Sequence, residues 1–208
     1  MSTPAVSPWN IANYLTVLRL LLVPVFLVLL LGHGGAQDAW RWGAGAVFLG
    51  AVWTDRIDGQ IARSRGLVTS FGKLVDPIAD KALIGAAFVG LSLLDELPWA
   101  VTLVVLAREL GVTLLRFFVI RHGVMPASRG GKLKTILQAV AIVLYVLPFT
   151  GVLASARAVV MALAVLVTVV TGLDYVARAV VLRRTSDRAA MKRASRARTS
   201  TAGREARS

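Results

Sequence analysis

The sequence contains no cysteine and few charged residues. The absence of cysteine excludes disulfide bonds and thiolate metal sites. Charged residues make up 17% of the 208 residues, whereas soluble domains contain about a quarter. Acids are the scarcest, with 11 Asp and Glu against 24 Lys and Arg. Apolar residues account for 56% of the chain, so the composition excludes a disordered chain and favours an integral membrane protein over a soluble domain.

Six apolar stretches follow one another along the chain, and most are long enough to cross a membrane as a helix. They cover residues 11–31, 42–53, 76–94, 98–120, 134–149 and 154–182. The second and fifth are short, and we expect them to extend into flanking polar sequence, as helices that line a water-filled cavity do. The predicted fold is all-α: an integral membrane protein with six transmembrane helices around a polar cavity that faces the cytoplasm.

The segments between these stretches alternate in charge. Lys and Arg are concentrated in residues 54–75, in residues 121–133 and in the C-terminal tail, whereas residues 32–41, 95–97 and 150–153 are neutral or acidic. The positive-inside rule therefore places both termini and the basic loops on the cytoplasmic side. We interpret the first stretch as a retained helix rather than a signal peptide, because no basic residue precedes it and no convincing cleavage site follows.

The C-terminal tail, residues 183–208, is strongly basic. It carries nine Lys and Arg against Asp187 and Glu205, which gives it a net charge of +7 out of the +13 of the chain. Beside an apolar span, such a tail is expected to contact anionic membrane lipid, and the lack of a base-reading motif argues against nucleic acid as a partner. We predict three regions: a cytoplasmic segment at 1–10, a six-helix membrane domain at 11–182, and this tail, disordered and cytoplasmic.

Four of the eleven acids lie within 26 residues, at the edges of apolar stretches. They are Asp55, Asp58, Asp76 and Asp80. Within each pair, the spacing of three or four residues places both carboxylates on one face of a helix. Four carboxylates brought together need a counter-cation, and such oxygen ligands favour Mg²⁺ or Mn²⁺, which commonly bind substrate phosphates. The alternative is a solvated loop in which these acids pair with neighbouring Arg and Lys residues.

The acids belong to a longer string of eight fixed residues that runs from Asp55 to Asp80: D-x2-D-G-x2-A-R-x8-G-x3-D-x3-D. In it, Gly59 and Gly72 allow a ligand or another backbone to approach closely, and Arg63 supplies a planar cation suited to phosphate. The string resembles the signature of the CDP-alcohol phosphotransferase family at every fixed position. The resemblance implies an integral membrane enzyme of six helices, in which a hydroxyl nucleophile displaces CMP from a CDP-linked substrate.

The resemblance also implies roles for individual residues. Two divalent ions, Mg²⁺ or Mn²⁺, are expected to be held by Asp55, Asp58, Asp76 and Asp80. The general base that deprotonates the acceptor hydroxyl is expected to be Asp80. Contacts to the CDP moiety are expected from Asp58, Gly59, Arg63 and Thr69. Because a carboxylate beside two cations is a weak base, Asp80 would depend on its position over the bound hydroxyl.

The motifs within residues 10–19, 76–81, 107–116 and 131–138 resemble the bacterial branch of the family, whose acceptor is glycerol 3-phosphate. The resemblance covers roughly residues 10–182 and departs from the usual pattern at Ala12, where proline is common. A small dianionic acceptor needs several cations, and the candidates are Arg108, Arg116, Lys132 and Lys134. Alternatives stay open for three cations: Arg108 as a structural partner of Glu109, Lys132 as a contact to anionic lipid, and Arg19 as either structural or near the nucleotide. Asp174 and Arg178, four residues apart, are predicted to form a structural pair.

The predicted reaction transfers the phosphatidyl group of CDP-diacylglycerol to sn-glycerol 3-phosphate, giving phosphatidylglycerophosphate and CMP. Residues 11–182 would be its catalytic domain, in a homodimer in the bacterial inner membrane, with the active site on the cytoplasmic side. One alternative is a sister enzyme whose acceptor is phosphatidylglycerol, giving cardiolipin, or inositol phosphate. An alternative of a different class is an ion- or proton-coupled transporter, against which stand the missing internal repeat and the placement of the acids near one membrane face.

Overall fold

The computed structural model describes residues 11–64, 70–119 and 129–205. These residues form α-helices, short connections and one 3-10 turn at Gly32–Gly35, with no strand among them. The helices are α1 (Ile11–Leu31), α2 (Asp38–Ser64), α3 (Ser70–Leu93), α4 (Trp99–Val119), α5 (Arg129–Val146) and α6 (Gly151–Glu205). The prediction of an all-α fold is confirmed for this part of the chain.

Helices α2 and α5 extend beyond their apolar stretches. The first spans Asp38–Ser64 rather than 42–53, and the second begins at Arg129 rather than at residue 134. Both therefore continue into polar sequence, as the short apolar stretches predicted. As a consequence, the acids of the motif belong to helices α2 and α3, and not to a solvated loop.

Helix α6 differs from the prediction at its C-terminal end. The composition of the tail predicted disorder from residue 183, whereas the helix continues through Glu205. The residue types of the tail account for this, because Ala, Arg, Lys and Met favour helices and the tail contains no proline. The apolar part of its sequence ends earlier, at Leu182, which Arg183 and Arg184 follow.

Two helices in the described part of the chain are long and apolar enough to cross a membrane. The corresponding segments are Asn13–Gly35 and Gly151–Val181, and a shorter apolar segment lies at Leu133–Val146. Large apolar side chains on their outer surfaces are exposed, as Val28 and Leu173 illustrate with exposed fractions of 63% and 65%. Exposed apolar area on this scale suits a lipid environment rather than water, so the protein is a membrane protein.

The bundle is held together by two groups of helix contacts. Helix α1 packs against α2 and α3, while α6 packs against α4 and α5. In the first group, the rings of Phe26 and Phe48 lie 5.7 Å apart and join α1 to α2. Helix α3 approaches α1 at Gly90, where an added Cβ would lie 2.7 Å from Leu30. Small residues of this kind allow close helix packing where lipid, rather than water, surrounds the bundle.

Three charged residues, Arg41, Glu96 and Arg157, form a cluster that we call the distal triad. The Glu96 carboxylate pairs with Arg41 and lies 3.7 Å from the Arg157 guanidinium. Arg41 also donates to the carbonyl oxygen of Tyr145 at 3.3 Å, and Arg157 lies 4.9 Å from the centroid of the Tyr145 ring. The distal triad thus fastens the start of α2 and the α3–α4 connection to the end of α5 and the start of α6.

Candidate active site

A cavity of about 480 Å³ lies between α1, α2, α3 and α5. Among the described residues that line it, four are polar: Arg19, Asp55, Asp80 and Thr135. Apolar side chains such as Trp53, Leu83 and Ile136 form much of the remaining wall. The first and last acids of the motif, 25 positions apart in the sequence, therefore meet at one cavity that has both a charged and an apolar part.

Arg19 brings a buried cation to this cavity. Its Nη1 atom lies 2.7 Å from Oδ1 of Asp55, and its side chain is 1% exposed, against 44% for Asp55. Asn13 and Thr16, which precede it at intervals of three residues, are also buried on α1. Sequence reasoning left Arg19 undecided between two roles, and the structure places it on the wall of the cavity. An arginine within an apolar helix was the signal that pointed to it.

Asp80 connects the cavity with a second, smaller space. Its carboxylate is accessible in the cavity, and it also borders a crevice of about 10 Å³ lined by Lys81, Glu109, Lys134 and Gln138, among other residues. A crevice of that size holds about one water molecule. Lys134, a predicted ligand of the acceptor phosphate, therefore lies on the same crevice as Asp80, the predicted general base.

Lys134 belongs to a second charged cluster, Arg108, Glu109 and Lys134, which we call the site triad. The Lys134 ammonium is buried and pairs with Oε1 of Glu109. The same oxygen accepts a hydrogen bond of 3.1 Å from Nη1 of Arg108. Glu109 therefore bridges two cations, and the structural pair with Arg108 that the sequence left open is present.

Arg108 extends from this triad toward α6. Its Nε atom donates to the carbonyl oxygen of Thr168 at 3.2 Å, and its Nη2 atom donates to the Thr171 hydroxyl at 3.1 Å. Gln138 reaches the same helix by donating to the Thr168 hydroxyl at 3.0 Å. Arg108 lines neither the cavity nor the crevice, so its described contacts are those of a residue that fastens α4 to α6. Sequence reasoning did not assign a role to Gln138 or Thr168.

Several predicted site residues have side chains that lie outside the described part of the structure. The side chains outside the described structure are those of Asp58, Arg63, Asp76, Arg116 and Lys132. Thr69 lies outside the described residues altogether, and Gly59 lies on helix α2. Their roles stay predictions. The predicted pair of Asp174 and Arg178 is confirmed, with 2.9 Å between the Arg178 Nε atom and the nearer carboxylate oxygen.

The described part of the acidic motif suits a divalent metal ion. Asp55 and Asp80 offer hard oxygen ligands of the kind that Mg²⁺ and Mn²⁺ prefer, and both border a cavity with room for phosphate groups. Among the described side chains, no group of three or more metal-ligating residues occurs. The other predicted ligands, Asp58 and Asp76, have side chains outside that part of the structure.

Fold and site together define a class: a membrane protein that is helical throughout its described part, with Asp55 and Asp80 of an acidic motif on the wall of a partly apolar cavity. Residues 9–170 match the protein family described as CDP-alcohol phosphatidyltransferase. This match covers well over half of the chain, and the chain belongs to the CDP-alcohol phosphatidyltransferase family. It is therefore a transferase, not a transporter, and the family to which it belongs generally uses divalent metal ions.

Individual relatives agree with this assignment. The chain is 61% identical over 170 residues to the probable phosphatidylglycerophosphate synthase of Mycobacterium tuberculosis, covering 82% of this chain and 81% of the relative. It is 36% identical over 186 residues to the CDP-diacylglycerol–glycerol-3-phosphate 3-phosphatidyltransferase of Bacillus subtilis, covering 80% and 93%. The cardiolipin synthase (CMP-forming) of Streptomyces coelicolor is 39% identical over 119 residues, covering 56% and 54%.

Proposed function

We propose that this protein transfers the phosphatidyl group of CDP-diacylglycerol to sn-glycerol 3-phosphate, giving phosphatidylglycerophosphate and CMP. The observation that carries the choice of acceptor is the buried ammonium of Lys134 on the crevice that Asp80 also borders. A buried cation beside the predicted base suits an acceptor that presents a hydroxyl and a phosphate together. The relatives from Mycobacterium tuberculosis and Bacillus subtilis, whose names describe this reaction or its product, support the same choice.

The donor nucleotide would be bound by the acidic motif. We assign the CDP moiety to Asp58, Gly59, Arg63 and Thr69. Two divalent ions, Mg²⁺ or Mn²⁺, would be held by Asp55, Asp58, Asp76 and Asp80. When bound, the ions would neutralise the pyrophosphate and stabilise charge on the departing CMP. The apolar wall of the cavity, which includes Trp53 and Ile136, suits the diacylglycerol part of the same substrate.

The acceptor would bind where the cavity meets the crevice. Since the crevice has room for about one water molecule, the body of glycerol 3-phosphate has to lie in the larger cavity. Its phosphate would contact Lys134, with Arg116 and Lys132 as further cations. Asp80 would take the proton of the attacking hydroxyl as the new oxygen–phosphorus bond forms and the bond to CMP breaks.

The topology follows from the loop charges. We assign six membrane spans to α1–α6, with both termini and the active site on the cytoplasmic side of the bacterial inner membrane. The basic tail would lie against anionic lipid, and the enzyme would be a homodimer. The two strongly apolar helices support the first and last of these spans, at Asn13–Gly35 and Gly151–Val181.

A second candidate acceptor is phosphatidylglycerol, which would give cardiolipin. The similarity to the cardiolipin synthase (CMP-forming) of Streptomyces coelicolor favours it, although that match covers only 56% of this chain. Phosphatidylglycerol carries a phosphodiester with one negative charge and places less demand on a buried cation than a phosphomonoester does. Lys134 therefore favours glycerol 3-phosphate.

The test is CMP release by the purified protein in lipid vesicles that contain CDP-diacylglycerol, with Mg²⁺ or Mn²⁺. Glycerol 3-phosphate, phosphatidylglycerol and inositol phosphate are added separately. We expect release with glycerol 3-phosphate and its loss in Asp80→Asn. Release with another acceptor alone would overturn the acceptor assignment and keep the family chemistry, and no release from folded protein would overturn both.

A further inference from the structure

The site triad contains a carboxylate that the proposed reaction does not use. Glu109 lies on α4, is not part of the acidic motif on α2 and α3, and is 15% exposed. Its Oε1 atom contacts both Lys134 and Arg108. A carboxylate shared between two largely buried cations is a strong electrostatic restraint, because removing its charge would leave the two cations facing each other without compensation.

The carboxylate that contacts Lys134 is itself held by Arg108, which is hydrogen-bonded to α6. Arg108 contacts Glu109 through one nitrogen and α6 through two others, at Thr168 and Thr171. The planar guanidinium therefore has its direction set by three acceptors on two helices. By contrast, Lys134 is a flexible chain that ends in a point charge, and Glu109 is the described acid that pairs with it.

We infer that Glu109 is a positioning residue: it holds the Lys134 ammonium at the crevice beside Asp80, and so sets the affinity of the enzyme for the phosphate of its acceptor. The inference rests on the proposed function, because it takes Lys134 as the acceptor cation. It assigns no contact between Glu109 and the substrate. The effect of Glu109 is expected to appear in the binding of the acceptor, and not in the binding of CDP-diacylglycerol.

The test compares Glu109→Gln with Glu96→Gln. Both changes neutralise a glutamate that bridges two cations, but Glu96 belongs to the distal triad, which borders neither the cavity nor the crevice. For Glu109→Gln we expect KM for glycerol 3-phosphate to rise about tenfold, within the coupling range of residues in contact, with KM for CDP-diacylglycerol unchanged. For Glu96→Gln we expect both KM values to stay at the wild-type level.

Two further variants separate positioning from general damage to the fold. Glu109→Asp keeps the charge and should recover most of the lost affinity, whereas a purely steric role would not be rescued by charge. In the double variant Glu109→Gln with Lys134→Met, the rise in KM should be no larger than in Lys134→Met alone, since both changes act on one contact. If Glu109→Gln fails to fold, Thr171→Val weakens the hold on Arg108 and should raise the same KM by about threefold.

The outcomes distinguish this inference from the proposed function. If the wild-type protein does not use glycerol 3-phosphate, the proposed function fails and the inference fails with it. If the wild type uses glycerol 3-phosphate but KM is unchanged in folded Glu109→Gln, the inference alone is overturned. An equal rise in both KM values, or the same effect in Glu96→Gln, would also overturn it, because either result indicates loss of general structure.

Discussion

The distal triad and the site triad are built alike but placed differently. In each triad, one glutamate bridges two cations. Glu96 bridges Arg41 of α2 and Arg157 of α6, and Glu109 bridges Arg108 of its own helix and Lys134 of α5. Lys134 lies near the start of α5, and Tyr145, which both arginines of the distal triad contact, lies near its end. At a rise of 1.5 Å per residue, the two positions are about 16 Å apart along the helix. The distal triad borders neither described cavity, whereas the site triad reaches the crevice of Asp80.

The two triads differ in their cations. The distal triad contains two arginines, and both also contact Tyr145, one through its carbonyl oxygen and one over its ring. A planar guanidinium that makes several contacts at once is suited to holding helices together. The site triad contains one arginine that is fastened to α6 and one lysine that reaches the crevice. Two buried ion clusters of similar composition therefore differ in whether one of their cations borders a cavity, and ligand binding is proposed only for the cluster that does.

The largest expected difference between the two ends of the bundle comes from removing one carboxylate at each. In Asp80→Asn, kcat should fall by about 10²–10⁴, because the acceptor hydroxyl would lose the general base that we propose for it. In Glu96→Gln, kcat should stay within a factor of about two. CMP release under saturating substrates measures both. Substantial turnover by Asp80→Asn, at more than a tenth of the wild-type rate, would contradict the assigned role of this carboxylate.

Replacing one cation at each end gives the next largest effect. Lys134→Met should raise KM for glycerol 3-phosphate by about 30- to 100-fold, since the buried charge that we propose to bind the acceptor phosphate would be lost. Arg157→Met should leave that KM unchanged and lower stability by at most about 1 kcal/mol, because Arg157 is 38% exposed and its contact with Glu96 is long. The comparison fails if Arg157→Met weakens acceptor binding as much as Lys134→Met does.

A third change should affect stability without affecting affinity. Arg41 is buried, and Arg41→Met would leave Glu96 with only the distant Arg157 as a cationic partner in the described structure. We expect the free energy of unfolding to fall by about 3 kcal/mol, as when one member of a buried ion pair is removed. Thermal unfolding followed by tryptophan fluorescence measures this loss. Unchanged stability would show that the distal triad does not fasten the helices.

The acidic motif and the order of helices could be predicted from the sequence because both are local patterns. The first helix was placed at 11–31, as observed, and fixed spacing put Asp55 and Asp80 in one motif. Apolar runs mark the part of a helix that faces lipid or the protein core, and not its full length. The sequence therefore did not determine where the polar extensions of α2 and α5 end. In the tail, the low-complexity composition predicts disorder when the tail is free, whereas helix propensity agrees with the observed continuation of α6.

The contacts between helices within the two triads could not be predicted from local sequence patterns. Glu109 and Lys134 are 25 positions apart, and Arg41 and Glu96 are 55 apart. Which charged residues meet across a bundle depends on how the helices rotate and pack, and neither spacing nor composition determines this. Arg108 and Glu109 are adjacent in the sequence, so their pairing could be anticipated, but the extension of Arg108 to Thr168 and Thr171 could not.

Gly172 is also unmarked by any motif, and it provides the smallest and most specific test. An added Cβ at this position on α6 would lie 3.0 Å from Cγ and 3.4 Å from Nε of Arg108, so the arginine would have to shift by a few tenths of an ångström. Gly111, on α4, is its control, because an added Cβ there would meet nothing within 4 Å.

In Gly172→Ala, the shift of Arg108 should displace the Glu109 carboxylate and, with it, the Lys134 ammonium. A shift of a few tenths of an ångström should weaken the proposed contact between Lys134 and the acceptor phosphate. We therefore expect KM for glycerol 3-phosphate to rise about threefold, within the coupling range of residues in contact, with KM for CDP-diacylglycerol unchanged. Gly111→Ala should leave both KM values unchanged and stabilise α4 by up to about 1 kcal/mol, since alanine favours a helix over glycine. Equal KM values for glycerol 3-phosphate in the two variants would mean that the position of Arg108 does not affect acceptor binding. Arg108 would then serve only to pack the helices, as the distal triad does.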